Sequence, residues 1–317
     1  MIDPCCLMNR QAAGAHFVRS FLFGKVADAF DCLPTRVYRL MLLNKSFRLC
    51  NDEYCPILVD APPAVGGIDV QQAKARMATQ PSVLIVDADN FCNLTCPSCR
   101  TRNDMNRRIK NTADAVASHM AGLDLAKIDE ISCALYGEML ASRSNIELIR
   151  SLELKRHSHV TFTLRTNGTL VRTPQFEDLL AYVGTLDVVV SVDGATKTTF
   201  EKLRRGASFD AVMKNLVRLG DYRGSGRIRQ LQFTMVVQED NFREIPDVVE
   251  LAATIGADVV RCDRYQMQTQ GPEEYKRSDV YLEHHPSHAE FIGVYGRLCA
   301  KNVVRPTVVW NPDPAQA

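Results

Sequence analysis

The sequence has 317 residues, of which 46% are hydrophobic and 24% are charged, and its formal net charge at pH 7 is +1. This composition is typical of a globular chain, and the balance of basic and acidic residues makes a nucleic-acid partner unlikely. No apolar run approaches the roughly 18 residues of a membrane-spanning helix. No basic segment followed by an apolar one marks a secretion signal, so we expect a cytoplasmic protein without a membrane partner.

Residues 1–65 form a first unit that differs from the rest of the chain. They contain five cysteines, and the stretch APPAVGG at 61–67 has the composition of a linker. We therefore predict a small cysteine-rich segment over 1–65. The main domain follows over 66–270, and a C-terminal helix with an irregular tail is expected over 271–317.

From about residue 83 onward, short runs rich in β-branched residues alternate with longer amphipathic segments. This alternation predicts an α/β fold with right-handed crossovers between parallel strands that are covered on both faces. Six strand–helix units suit a partial (β/α)6 barrel, although a doubly wound open sheet would give the same pattern. The strands are predicted at 83–88, 130–137, 160–166, 186–193, 231–237 and 257–263, with helices between them at 145–152, 173–183, 196–206, 209–220 and 242–256.

The chain contains eleven cysteines, and their distribution is its most unusual feature. An odd number of cysteines without a secretion signal argues against a disulfide framework, and clustered thiols in a reducing compartment more often serve metal binding or catalysis. Cys92, Cys96 and Cys99 directly follow the first predicted strand. In barrels and open sheets, catalytic groups gather at the carboxyl ends of the strands.

The number of clustered thiols indicates which metal they suit. Structural zinc usually takes four protein ligands. Three thiolates close in sequence would instead leave one iron of a [4Fe–4S] cluster without a protein ligand, and that iron could bind a substrate or cofactor. The alternatives are a zinc site with a distant fourth thiol, and three buried cysteines without metal.

The loop CNLTCPSC, with the strand before it, resembles the cluster-binding loop of the radical S-adenosylmethionine (radical SAM) superfamily. The resemblance covers roughly residues 80–270 and implies that family's partial barrel. Two positions depart from the family pattern, since Tyr136 replaces a glycine and Ser98 replaces an aromatic residue. Further segments resemble the family's strand-end motifs in the same order: ALYGEML at 134–140, LRTNGTL at 164–170, the stretch at 188–216, and TMVVQEDNFREI at 234–245.

The resemblance implies a [4Fe–4S] cluster held by Cys92, Cys96 and Cys99, with S-adenosylmethionine bound at the open iron. One-electron reduction by a donor such as flavodoxin or ferredoxin would cleave the sulfonium C–S bond. The resulting 5′-deoxyadenosyl radical would abstract a hydrogen atom from a substrate C–H bond. The protein's part is to hold, orient and shield the cofactor.

Polar residues at the later strand ends are the candidate ligands of S-adenosylmethionine. The Glu138 carboxylate suits the methionine ammonium, and Gly137 would let the backbone approach the ligand. By resemblance, Arg204 pairs with the methionine carboxylate. The other candidates are Tyr136 beside that glycine, Asn167 in an Asn-Gly turn, Ser191 for the ribose, Asp193 for the ribose or for capping the next helix, and Asn241 and Tyr265 near the adenine.

Two cysteines fall inside predicted strands. Cys262, in the last of them, is either a core residue, since free cysteine buries readily, or a hydrogen-atom donor to a substrate radical. Cys133, in the second strand, is expected to lie in the core.

The N-terminal segment resembles the end of the SPASM module, the cysteine-rich extension that binds auxiliary iron–sulfur clusters in many radical SAM enzymes. The resemblance is carried by the Cys5–Cys6 pair, the stretch VYRLMLLNKSF, and Cys50 and Cys55 followed by a proline. It implies a second [4Fe–4S] cluster held by these four thiols, with Cys32 or Cys299 in place of one member of the pair. A zinc site with the same thiolates and a segment without metal are the alternatives.

Three hypotheses about function follow. The first is a radical SAM enzyme acting on a peptide, as SPASM-like relatives suggest, or on a small metabolite such as a sugar. Family analogy alone is a weak guide to the substrate. The second is a non-catalytic iron–sulfur or zinc protein, which the set of Glu138, Ser191 and Arg204 argues against. The third is a nucleic-acid-modifying enzyme, which the neutral charge disfavours.

Overall fold

A computed structural model describes residues 82–86, 88–99, 113–120, 123–133, 137–265, 271–301, 305–311 and 313–314. The cysteine-rich segment at 1–65 lies outside the described residues, and so does Tyr136. The predicted ligands of the auxiliary cluster therefore lie outside the described residues as well; they are Cys5, Cys6, Cys50 and Cys55.

The described strands form one parallel sheet, and their order in the sheet is their order in the sequence. A doubly wound sheet reverses its winding at a switch point, so this order excludes that alternative and confirms the partial barrel. Among the described strands, the first and last are not paired with each other, so the barrel is open. The strands are β1 (Val83–Ile85), β2 (Glu130–Cys133), β3 (Thr161–Thr166), β4 (Thr185–Ser191), β5 (Gln230–Val237), β6 (Val259–Arg264) and β7 (Thr307–Asn311).

The last strand corrects the expectation that the tail of the chain is irregular. β7 pairs in parallel with β6, and Trp310 lies opposite Cys262. The sequence TVVWN suits a strand because β-branched and aromatic side chains pack well on a pleated surface. The Trp310 ring packs edge-on against Phe291 and Tyr295, which fixes the strand to the helix before it.

Helices alternate with the strands, as the sequence pattern predicts. Their first turns carry standard capping groups: the Ser142 and Ser208 side chains each accept a hydrogen bond from a backbone N–H three residues later. No described helix is long and apolar enough to cross a membrane. The helices are α1 (Ala113–Met120), α2 (Arg143–Ser151), α3 (Pro174–Tyr182), α4 (Lys197–Leu203), α5 (Phe209–Gly224), α6 (Ile245–Ile255), α7 (Pro272–Ser278) and α8 (His288–Ala300).

The two faces of the sheet differ in character. Because the crossovers wind in one direction, the helices cover one face, here called the outer face. In β5, Leu231, Phe233 and Met235 are fully buried on the outer face, whereas Gln232 and Thr234 are partly exposed on the opposite, inner face. The expectation that the strands are covered on both faces does not hold for β5, whose inner-face side chains are partly exposed.

Candidate active site

The loop that carries the three cysteines begins at the carboxyl end of β1. Cys92 and Cys96 are partly buried, and Cys99 is exposed. The backbone N–H of Cys99 donates to the carbonyl of Cys96 at 3.2 Å, and the N–H of Thr95 donates to the carbonyl of Arg205 at 3.0 Å. The loop is therefore anchored beside the end of α4, at the edge of the sheet where the sequence predicts the site.

Asn145, in the first turn of α2, fixes the entrance to the cysteine loop. Its Oδ1 accepts hydrogen bonds from the N–H groups of Ala88 at 2.7 Å and Asp89 at 3.1 Å, and its Nδ2 donates to the Asp89 carbonyl at 3.0 Å. Asn145 is not among the residues predicted from the sequence. The available signal is an asparagine inside an amphipathic helix, because a buried amide needs hydrogen-bond partners.

Two N–H groups point at the sulfur of Cys92. The Leu94 backbone N–H lies 3.4 Å from it, and the Asn167 side-chain amide lies 3.8 Å from it. That amide also donates to Asn93 Oδ1 at 2.9 Å. Asn167 begins the predicted Asn-Gly turn, in which Gly168 adopts a φ of 77°. Asn167 therefore contacts the cysteine loop directly, and its contact with a cofactor or substrate stays a prediction.

Glu138 is fully buried at the junction of the loops that follow β2 and β3. Its carboxylate accepts hydrogen bonds from the Leu140 N–H at 3.3 Å, the Thr166 hydroxyl at 2.9 Å and the Asn167 N–H at 2.6 Å. Burial raises the pKa of Glu138 to about 7. A carboxylate offers about four acceptor positions, so one is left for the ammonium that we predict it to bind.

Gly137 packs against the backbone of the cysteine loop. A Cβ atom at this position would lie 2.8 Å from the carbonyl oxygen of Phe91 and 2.9 Å from the carbonyl carbon of Asn90. The next N–H, that of Glu138, donates to the same Phe91 oxygen at 2.8 Å. The close approach that requires glycine here is between two protein loops, and the predicted approach to a ligand is not tested.

Arg204 and Asp193 form a buried ion pair beside Cys96. The Arg204 Nε lies 2.8 Å from Asp193 Oδ2, and the Arg204 Nη1 lies 4.0 Å from the Cys96 sulfur. Burial raises the pKa of Asp193, and it also raises the pKa of the Cys96 thiol against the opposing effect of Arg204. Thr196 caps α4. The helix-capping alternative for Asp193 is therefore wrong.

Two side chains in the segment after β5 hold the end of β4 in place. The Asn241 amide donates to the Asp193 carbonyl at 3.1 Å and to the Val236 carbonyl at 2.9 Å, which uses both of its N–H groups. The Glu244 carboxylate, which the sequence analysis did not single out, accepts from the Ala195 N–H at 2.7 Å. Asn241 thus acts within the protein here, and its contact with adenine stays a prediction.

Ser191 and Tyr265 have different surroundings at their strand ends. Ser191 is partly exposed on the inner face, and its hydroxyl makes no hydrogen bond to another described residue. It is therefore available to the ribose. The Tyr265 ring is buried and stacks on Tyr275 of α7, with the ring centroids 6.2 Å apart. This contact is internal packing, and the contact of Tyr265 with the adenine stays a prediction.

Cys262 lies in the core. It is fully buried on the outer face of β6, between Met235 and Trp310 of the neighbouring strands, and burial raises the pKa of its thiol. This burial agrees with the core interpretation of Cys262, and the hydrogen-donor role stays an untested prediction. Cys133 is fully buried on the outer face of β2, as expected.

The residues at this edge fit the cluster and cofactor that the motifs imply. N–H groups directed at a ligating sulfur, as at Cys92, are the contacts that stabilise and tune iron–sulfur clusters. The buried Arg204 guanidinium, whose Nε pairs with Asp193, places a positive charge beside the Cys96 sulfur. Zinc in a structural site usually takes four protein ligands, whereas the cysteine loop offers three thiolates. In a cubane, by contrast, each thiolate binds a different iron.

Two curated relatives share limited identity with the chain. The mycofactocin maturase MftC of Mycobacterium tuberculosis is 27% identical over 143 residues, which are 45% of this chain and 34% of that protein. The sporulation killing factor maturation protein SkfB of Bacillus subtilis is 25% identical over 198 residues, which are 61% of this chain and 45% of that protein. The matched stretches thus span less than half of either relative.

A solved structure and a family model match larger parts of the chain. SuiB from Streptococcus suis, bound to its precursor peptide SuiA, superposes with a TM-score of 0.55 at 14% identity, over 88% of this chain and 62% of that one. Such a likeness establishes a shared fold. The model of the radical SAM superfamily matches residues 89–252. Because this match starts just before Cys92, extends into α6 and covers more than half of the 317 residues, the chain belongs to the radical SAM superfamily.

Proposed function

We propose that the chain is a radical SAM enzyme that modifies a peptide. The observation that carries the proposal is the position of Cys92, Cys96 and Cys99 at the end of β1, with Asn167 and Arg204 directed at two of the sulfurs. A peptide is favoured over a small metabolite because two relatives are named as maturation proteins and SuiB was solved with a precursor peptide.

In this proposal the three thiolates hold a [4Fe–4S] cluster, and S-adenosylmethionine completes the coordination of its fourth iron. When bound and reduced by a small electron-transfer protein, this pair supplies cleavage of a C–S bond and abstraction of a hydrogen atom from an unactivated C–H bond. Burial raises the pKa of the Cys92 and Cys96 thiols, so they must release protons when a metal cluster binds. The Arg204 guanidinium favours the thiolate form of Cys96.

The protein groups around the loop suit the ends of the cofactor. The free acceptor position of Glu138 suits an ammonium group, and the Arg204 fork suits a carboxylate that it would share with Asp193. The free Ser191 hydroxyl suits the ribose. Asn145 acts on the loop from behind, by holding the backbone before the first cysteine.

The proposal is tested by anaerobic reconstitution with iron and sulfide, followed by reduction with dithionite in the presence of S-adenosylmethionine. We expect a brown protein that releases 5′-deoxyadenosine, and we expect Cys96→Ala to abolish the release. Val217→Ala, which shortens an exposed side chain on α5, is the control and should leave the release unchanged. A colourless wild-type protein that releases no 5′-deoxyadenosine would contradict the proposal.

Iron content tests the auxiliary cluster that we propose for the N-terminal segment. About four irons per chain indicate one cubane, and about eight indicate two. A Cys50→Ala, Cys55→Ala variant should lose about half of the iron if both thiols bind a second cluster. An unchanged iron content in this variant rejects the auxiliary cluster.

The peptide substrate is tested by searching the neighbouring genes for a short reading frame and synthesising the peptide that it encodes. Incubation with the reconstituted enzyme, reductant and S-adenosylmethionine should change the mass of the peptide, and the Cys96→Ala variant should not. Release of 5′-deoxyadenosine that rises with a sugar and not with the peptide would favour the small-metabolite alternative.

A further inference from the structure

Arg165 is a partly buried arginine on the inner face of the barrel. It precedes the Thr-Asn-Gly turn on β3, and its Nε donates to the Ser132 hydroxyl of β2 at 3.3 Å. It forms no ion pair with a carboxylate of the described residues. Burial lowers the pKa of Arg165, which reflects the cost of keeping this charge away from water.

A second arginine lies on the same face. Arg261 of β6 is 39% exposed, and its Nε lies 2.7 Å from Asp263 Oδ1. Its charge is close enough to Arg165 to lower the pKa of that residue further. Two strands, β4 and β5, separate β3 from β6 in the sheet, and the register places both arginines on its inner face.

The acids on this face only partly balance the two arginines. Asp263 and Glu130 attract the Arg165 charge, but neither lies within ion-pair distance of it. Asp263 is already engaged, because it accepts from the Thr234 hydroxyl at 2.9 Å and from the Asn311 amide at 2.8 Å in addition to Arg261. Glu130 is the first residue of β2, at the opposite end of the strands from the cysteine loop.

Register places the arginines near the proposed cofactor site. Ser191 of β4 pairs with Thr234 of β5, which pairs in turn with Arg261 of β6. These three residues form one row across the inner face. Arg165 lies opposite Val189, two residues before Ser191 on β4. A substrate group held by the arginines would therefore lie about one row away from the residue that we expect to bind the ribose.

We infer that Arg165 and Arg261 form a subsite for a carboxylate of the substrate. The inference rests on the proposed function and deepens it, because it selects peptides that present either an acidic side chain or a free C-terminus inside the barrel. Guanidinium groups match a carboxylate through paired N–H donors. Because Asp263 already pairs with Arg261, the two arginines and Asp263 carry one net positive charge, which a bound carboxylate would balance.

The test measures binding alone, on the reconstituted protein with S-adenosylmethionine and without reductant. Ligand-observed NMR titrations would compare N-acetylglycine, which has a terminal carboxylate, with N-acetylglutamic acid 1-amide, which has a side-chain carboxylate. N-acetylglycinamide is the neutral control. We expect at least one carboxylate to bind saturably, and Arg165→Gln or Arg261→Gln to weaken binding about tenfold or more, the effect of losing one charge-assisted contact.

Arg172→Gln is the matched control, since Arg172 is exposed and forms no ion pair with a described residue. It should bind the probes like the wild type. Whichever of the two carboxylates binds more tightly shows whether the subsite takes a free C-terminus or an acidic side chain. Carboxylates that bind no better than the amide, or an Arg165→Gln variant that binds as well as the wild type while keeping its iron, would overturn the inference. Because the assay requires no turnover, binding without 5′-deoxyadenosine release would contradict the proposed function and leave the subsite standing.

Discussion

The buried ion pair beside Cys96 gives the sharpest stability prediction. The Arg204 Nε lies 2.8 Å from Asp193 Oδ2, and the side chains of Asp193 and Arg204 are 1% and 13% exposed. At this distance and an effective dielectric constant of about 20, two unit charges attract each other by about 6 kcal/mol. Desolvation of both groups offsets most of this attraction. Asp193→Asn would leave the Arg204 charge buried without its partner, and such a loss typically costs about 3–5 kcal/mol.

The assay is thermal and urea unfolding of the metal-free chain followed by circular dichroism. Asp193→Asn should lower the Tm by roughly 6 °C or more. The double variant Asp193→Asn, Arg204→Met should recover part of the loss, because no unpaired charge remains. Asp210→Asn is the control, since it breaks an ion pair of 2.7 Å between exposed side chains and should change little. Equal losses for Asp193→Asn and Asp210→Asn would refute this reasoning.

Three further predictions concern other buried polar groups. Burial raises the pKa of Glu138 from 4.5 to about 7, so its contribution to stability is largest below about pH 4.5 and is lost as pH rises through 7. The urea midpoint of the wild type should therefore fall relative to that of Glu138→Gln between pH 4.5 and 7. Parallel pH profiles of the two proteins would contradict this prediction. Partial burial raises the pKa of Asp258, but hydrogen bonds, the strongest from Arg223, outweigh it and lower the pKa to about 2. Asp258→Asn should reduce the free energy of unfolding by about 2 kcal/mol at pH 7, and this difference should disappear as pH falls from 3.8 through 2. A loss of stability that does not depend on pH would exclude this cause. Asn145→Ala should reduce the free energy of unfolding by about 2–4 kcal/mol, because it removes three buried hydrogen bonds. It should also lower the iron content after reconstitution. Full iron retention would show that the cysteine loop does not need Asn145 as an anchor.

Local patterns were sufficient to predict most of the strands and helices and the position of the cysteine loop. The alternation of β-branched runs with amphipathic segments predicted β2 to β6 and the helices between them to within a few residues, because a strand or helix is specified largely by its own periodicity. The cysteine loop was placed correctly for a related reason. The side chains at the carboxyl end of a parallel strand belong to the residues that directly follow that strand in the sequence.

Partners from distant parts of the chain could not be predicted in this way. The sequence left Asp193 between a ribose ligand and a helix cap, and the structure pairs it with Arg204. It left Cys262 between core and site, and the structure buries it against the helices. Asn145 was missed because its hydrogen bonds reach back to residues more than 50 positions earlier.

The sequence by itself determined the fold class, the superfamily and the cysteine loop, because each is encoded by residues close together along the chain. Only the tertiary structure decided the one-way winding of the sheet, the addition of β7, and the side chains that meet on the inner face. Side chains alternate between the two faces of a strand, so a shift of one residue in register moves a group from the core to the site. Register between parallel strands is set by the packing of the whole sheet, and no single segment specifies it.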